Sequence, residues 1–414
     1  MKKIKVLIII AFAFNPGVKA QLTLDSCKRL AHEHYPAIQR FKLIEHSREF
    51  NISNAAKGWL PQINVTATSA WFTDIINLPQ QADVMIGGIG HSLYNVGLQI
   101  SQSVYDGGEV SARKHEAEAN AAVRRESNNI IMYEVNSRVE QIYFGVLTLD
   151  EKIRQNRLLQ DDLAVGMRTV TALEHNGMAN RGDIEAVSVE QLKSRQQEEQ
   201  LKASRRAYML MLSAFIGRTL NESSKLEMPE NPMCIDGFIG RSELDYYSAK
   251  DNLLDIRRQS LNVRLKPHVS VFALGMYHNK PTTIMKNGML AAGLTLNWNI
   301  GALYTRANDL KLIDNERGLN NVERETFLFN TSLKTRQSNG VIEALKKQIL
   351  LDNEIIALRQ SIVNKAEKKV ANGTETVNEM LRDINAVSEA RLMKALRELQ
   401  LTQELYNLKN INNN

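Results

Sequence analysis

Ser92-Leu93-Tyr94-Asn95-Val96-Gly97-Leu98-Gln99-Ile100-Ser101-Gln102-Ser103-Val104-Tyr105-Asp106-Gly107-Gly108 changes its period within one run. Tyr94, Val96, Leu98 and Ile100 fall on one face, and Asn95, Gly97, Gln99, Ser101 and Ser103 on the other. Successive side chains of a strand point to opposite sides, so this spacing predicts a strand with one apolar and one polar face. At Asp106-Gly107-Gly108 the alternation stops. No proline follows until Pro229, and the intervening residues are largely strong helix formers. The next credible breaks are Gly166 and His175-Asn176-Gly177, so one helix of about 69 residues is expected, roughly 100 Å long at 1.5 Å per residue. Helices of ordinary globular proteins average about 11 to 12 residues, which argues against a compact soluble enzyme.

Within that helix Val135, Val139, Ile142, Val146, Leu149 and Ile153 step alternately by four and three, the spacing of a coiled coil. The register continues through Asn156, Gln160, Leu163, Met167 and Val170. Its return segment reads Ile184, Val187, Gln191, Ser194, Glu198, Leu201, Arg205, Tyr208, Leu212 and Phe215. A seam with so many polar entries suits a hydrated packing surface, and taken alone it also fits a rod-like structural coiled coil.

Three more segments alternate by two: Gln62 to Phe72, His268 to His278 and Met289 to Ile300. Ile63, Val65, Ala67 and Trp71 share a face in the first, and Val269, Val271, Ala273 and Tyr277 in the second. In the third, Leu290, Ala292, Leu294, Leu296 and Trp298 oppose Ala291, Gly293, Thr295, Asn297 and Asn299. These lengths suit transmembrane β-strands, with Asn95, Gln99, Asn297 and Asn299 lining the water-filled side and Trp71, Phe72, Tyr105 and Tyr277 near the membrane interfaces. A soluble four-stranded sheet is the competing reading.

The chain is duplicated. Leu60-Pro61-Gln62-Ile63 resembles Lys266-Pro267-His268-Val269, Gln102 to Gly108 corresponds to Asn297 to Ala302, and the tip Asn176-Gly177 answers Asn372-Gly373. The expected order in each copy is helix, strand, loop, strand, long helix, tip and return helix. The expected division is a signal peptide at 1–20, a first repeat at 21–220, a linker at 221–243, a second repeat at 244–400 and a C-terminal tail at 401–414.

Lys2, Lys3 and Lys5 precede the apolar run Val6 to Phe14, and Val18-Lys19-Ala20 offers a cleavage site, the pattern of a secretory signal peptide. Lipidation at Cys27 is a competing reading, disfavoured by Asp25 and by the distance from the apolar run. The formal charge is +6, and removal of Lys2, Lys3, Lys5 and Lys19 leaves about +2. Acids and bases are interleaved, which gives nucleic-acid binding no support. Cys27 and Cys234 are the only cysteines, and a disulfide between them is left open. No apolar run after the signal is long enough for a membrane helix. Any span is therefore β, and strands in a bilayer must close into a barrel. Known single-chain barrels begin at about eight strands, so several copies must contribute, with outer-membrane lipid around them.

These residues resemble the TolC-type outer membrane factors, the exit ducts of tripartite efflux pumps and type I secretion systems. The resemblance is carried by Leu22-Thr23-Leu24-Asp25-Ser26-Cys27 through Ala31 and Pro36, by Leu60-Pro61, by Val104-Tyr105-Asp106-Gly107-Gly108 and by the duplicated tips. It implies a mainly α chain with a membrane β-barrel portion. Each chain would give four transmembrane strands and two long coiled-coil hairpins. A homotrimer would close them into a twelve-stranded barrel continued by a helical barrel. It further implies an equatorial belt built from Asn221 to Glu243, Ile313 to Arg324 and the tail after about Leu401. The implied partners are a periplasmic adaptor, meeting Asn176, Gly177, Met178, Asn372, Gly373 and Thr374 at the tips, and an inner-membrane transporter. The family narrows its pore with acidic residues after the second tip. Glu379 takes the first such position, but Arg382 takes the second, with Asp383 beside it. The alternative for Glu379 is a solvated carboxylate that complements the dipole at the helix N-terminus.

No histidines sit at metal-ligand spacing, and Gly87-Gly88-Ile89-Gly90 lacks the Lys-Ser/Thr of a phosphate loop and reads as an extracellular loop. No enzyme activity, cofactor or metal is expected. The alternative to a duct is a non-conducting, envelope-spanning tether, for which polar strand faces would have no use.

Overall fold

The computed structural model describes residues 22–71, 92–232, 239–278 and 287–412. The expected signal peptide, the Gly87 to Gly90 loop, Phe72 and Cys234 lie outside them. The elements are α1 (Leu24–His34), α2 (Gln39–Ala56), β1 (Gln62–Trp71), β2 (Ser92–Tyr105), α3 (Glu109–His175), α4 (Arg181–Ile216), α5 (Ser242–Val263), β3 (His268–His278), β4 (Gly288–Asn297), α6 (Ala302–Ala371) and α7 (Val377–Asn412). The long helix expected after Gly108 is present with 67 residues, and its counterpart α6 has 70. No described helix is long and apolar enough to cross a membrane.

The strands form one antiparallel sheet in the order β1-β2-β3-β4. Its register makes the four alternations coincide. Val65 stands opposite Leu98, Leu98 opposite Gly275 and Gly275 opposite Leu290; one step along, Ile63, Ile100, Ala273 and Ala292 are aligned. Opposed residues share a face, so the apolar sets of all four strands merge into one surface. The other face of β2 and β3 is the more sheltered, with Asn95, Gly97, Phe272, Leu274 and Met276 half-buried while Tyr94, Val96, Val271 and Tyr277 are exposed. None of the four strands contains Asp, Glu, Lys or Arg. The described strands do not close on themselves.

Contacts divide the chain into two units that cut across both repeats: residues 39–130 with 241–329, and residues 1–38 with 131–240 and 330–414. In the first unit, Asp106 fixes the turn from β2 to α3. Its carboxylate accepts from the backbone amides of Gly108 and Val110, each at 2.8 Å, so donors at the helix start are satisfied. Gly107 has φ +63°, and a Cβ there would lie 2.8 Å from Lys266 Cβ at the equivalent junction of the second repeat.

The second unit holds two apolar cores. One joins α1, the middle of α3, the end of α4 and α7 through Leu24, Cys27, Val139, Tyr143, Leu212, Ile216 and Tyr406. Tyr143 donates its hydroxyl to the carbonyls of Leu22 and Glu227, tying the 221–232 segment to the chain start. Cys27 is fully buried within this core, and burial pushes its thiol up to about 11. That setting does not suit a lipid anchor.

Two expectations need correction. The α4 seam drifts near its end: Tyr208 is exposed and Met209 buried, while Leu212 keeps its predicted place and Phe215 is half-buried beside the buried Ile216. A helix with 3.6 residues per turn drifts from a strict heptad, and here α1 packs on α4 and sets which side is covered. The Ile313 to Arg324 region lies inside α6, and the tail after Leu401 continues α7 to Asn412, with Leu408 buried. β4 ends at Asn297, so Trp298, Asn299 and Ile300 are not in the strand. Asn299 instead accepts from the Ala302 amide at the start of α6.

Candidate functional site

The two hairpin tips are built alike. At the first, the Gly177 amide donates to the Glu174 carbonyl and Met178 to Leu173; at the second, Gly373 donates to Val370 and Thr374 to Lys369. This pair of bonds is a Schellman motif, and it places Gly177 at φ +73° and Gly373 at φ +69°, where glycine is favoured. The next helix then opens with a reciprocal capping pair. Asn180 accepts from the Asp183 amide while Asp183 accepts from the Asn180 amide, and Thr376 and Glu379 repeat the arrangement. Asn176, Gly177, Met178, Asn372, Gly373 and Thr374 are all exposed.

Glu379 therefore serves the local helix: its Oε2 accepts from the Thr376 amide at 3.0 Å and the Thr376 hydroxyl at 2.9 Å. The Thr376 amide, the Thr376 hydroxyl and then nearby Arg382 hold its carboxyl below the usual carboxylate range. Arg382 is exposed and lines a groove between α4 and α7 with Glu190, Asn385 and Glu389. Asp383 is half-buried on the next position around the helix. The structure thus places Glu379 and Arg382 close enough to interact and gives Glu379 a partner that the pore reading did not include.

Behind the tips, the second core joins both hairpins through Leu163, Val170, Val187, Val363, Val370, Met380, Ile384 and Val387. Above it the seam becomes polar, as its residues predict. Ser194 and Asn156 are both buried and meet at 3.2 Å, and Gln160 donates to Glu198 across α3 and α4. One side chain joins three helices: Arg391 on α7 donates to Asp162 on α3 at 3.0 Å and to Gln360 on α6. This tie crosses from one hairpin to the other, and the sequence reading missed it because its members are far apart in the chain.

On the sheet, Asn95, Gln99 and Asn297 share the face opposite the apolar surface, with Asn297 paired to His268. Asn299 lies beyond the strand. That same face carries Phe272, Leu274 and Met276 on β3, so it is polar across β1 and β2 and largely apolar across β3. Among the described residues, no three His, Cys, Asp or Glu side chains converge as metal ligands would.

Residues 29–218 match the outer membrane efflux protein family. No curated protein matches the sequence. Among solved structures, the chain is similar to CusC, with a TM-score of 0.71 and 12% identity over 96% of this chain and 95% of that one. It is similar to the outer membrane protein VceC of Vibrio cholerae, with a TM-score of 0.67 and 12% identity over 94% of both chains. The open-state MtrE outer membrane channel of Neisseria gonorrhoeae gives 0.66 and 13% over 94% of this chain and 88% of that one. At such identities these likenesses are of fold, and they extend through both repeats. With the match to the outer membrane efflux protein family confined to residues 29–218 and the shared fold running across nearly its whole length, the chain resembles that family in its first repeat and has the TolC-type fold.

Proposed function

We propose that this protein is a passive outer-membrane exit duct of a tripartite efflux pump or type I secretion system. It works as a homotrimer that receives cargo from a periplasmic adaptor and an inner-membrane transporter and catalyses no reaction itself. The observation that carries this reading is the sheet: four strands without Asp, Glu, Lys or Arg share one apolar face, and among the described residues its two outer edges have no strand partner. In a bilayer those edges need partners, and three copies supply twelve strands, above the minimum of about eight. Tyr94 and Tyr105 share the apolar side of β2, eleven residues apart. At about 3.3 Å per residue and a tilt of about 40° they stand roughly 28 Å apart along the membrane normal, close to the apolar band of such barrels.

Conduction follows from the polar face of β1 and β2, and gating from the hairpins. The Arg391 tie holds α7 against α3 and α6, so loosening it lets the α6–α7 hairpin move. The exposed tips are where the adaptor docks. Single-channel recording of the purified oligomer in planar bilayers tests this. The native protein is expected to give a small conductance, and Arg391→Ala a several-fold larger one. Closed membranes with both proteins, each folded and oligomeric, would replace the duct by a tether.

A further inference from the structure

On the face that bears Asn95 and Gln99, Met276 of β3 stands directly opposite Met289 of β4. Directly opposed residues have Cβ atoms about 4.5 to 5.5 Å apart, so both thioethers project from one spot. His278 is two residues further along β3, on the same face, with Asn95 opposite it. It is only 7% exposed, and its Nε2 has no hydrogen-bond partner among the described residues. Buried polar side-chain atoms nearly always have a partner, so this nitrogen is a donor atom in want of an occupant. On the β2 side, the residue opposite Met276 is Gly97, where an added Cβ would meet only backbone oxygens at 3.9 Å.

We propose that Met276, His278 and Met289 bind a soft monovalent metal cation of the Cu(I) or Ag(I) kind. Two thioethers and a neutral imidazole are soft, uncharged donors, which select such ions over hard ones. Calcium and magnesium need oxygen ligands and zinc prefers thiolate, imidazole or carboxylate. None of the four strands supplies a carboxylate or thiolate. Methionine has three rotatable side-chain bonds, so both sulfurs can swing to a common point beside the less mobile imidazole. The site needs only the sheet of one chain, so it stands or falls separately from conduction.

Equilibrium dialysis of the detergent-purified full chain against silver nitrate in chloride-free buffer, with silver counted by mass spectrometry, tests the site. The native protein should hold one more Ag(I) per chain than Met276→Leu/Met289→Leu. Ions captured by Cys27 or Cys234 are common to both and cancel. Leucine keeps the apolar volume, so the variant should assemble. His278→Gln provides an independent variant should the double one fail to fold. A second readout is the melting temperature, which silver should raise more in the native protein than in either variant, since a ligand that binds only the folded state stabilises it. Equal silver content and equal thermal shifts in native and variant proteins would overturn the proposal, as would zinc displacing the silver at equal concentration.

Discussion

Glu379 shows how one carboxylate serves two readings. Next to a tip it reads as a pore acid; in the structure it closes a capping pair with Thr376. Because its pKa is lower in the folded chain than the ordinary 4.5, the ionised form favours folding. That contribution is complete above the ordinary value and is lost as pH falls through the lower folded one. Gln at this position can still reach the Thr376 amide, so Glu379→Gln isolates the charge. The variant should melt below the native protein at pH 7, and the gap should close as the melts are repeated below pH 4. Glycines give a second residue-scale contrast. Gly177 has open space around it, so Gly177→Ala meets only the left-handed backbone cost, about 1 kcal/mol. Gly107→Ala adds a collision with Lys266 and should cost about 1 to 3 kcal/mol more. Thermal melts that rank the two equally would refute the close approach of the two junctions.

At the scale of elements, α1, α3 and α7 are joined by a buried polar knot. Lys28 on α1 pairs with Glu140 on α3, which also accepts from Asn410 on α7. Burial is the main influence on Glu140 and pushes its carboxyl up, with Lys28 opposing it. Removing one partner leaves a charge in an apolar surrounding, so Lys28→Met should cost about 3 kcal/mol. Lys28→Met/Glu140→Leu should regain at least half of that, as read by denaturant unfolding. A double variant no better than the single would mean that the pair itself, and not the stranded charge, supplies the stability. The helices were legible because breakers are sparse and the seam spacing is regular. The drift of α4 from Tyr208 to Met209 was not, because the buried side depends on where α1 docks.

For the whole molecule, the outstanding fact is unpartnered apolar surface. Beyond the apolar sheet face, which in the proposed duct meets lipid, Leu351, Ile355 and Leu358 on α6 are also exposed, at a spacing of four and three that continues to Ile362. That is a second coiled-coil seam, and a neighbouring copy is what it fits. In the proposed homotrimer, Leu358→Asp should convert the assembly to monomers, measured by native mass spectrometry in detergent, while leaving each chain's helicity unchanged. A variant that stays trimeric would move the interface elsewhere on the helices.

The sequence by itself determined the element types, the duplication, the apolar side of every strand and the tips, because each rests on local periodicity or on a single residue's backbone freedom. Only the tertiary structure decided what depends on partners distant in the chain. It committed Glu379 to Thr376, since whether a carboxylate near a helix start is free or capping depends on the neighbouring backbone. It ended β4 before Asn299, where the backbone turns into α6. It also put Phe272, Leu274 and Met276 on the same side as Asn95 and Gln99, and it brought Met276 to Met289. Cross-strand register, which no single strand specifies, makes those meetings.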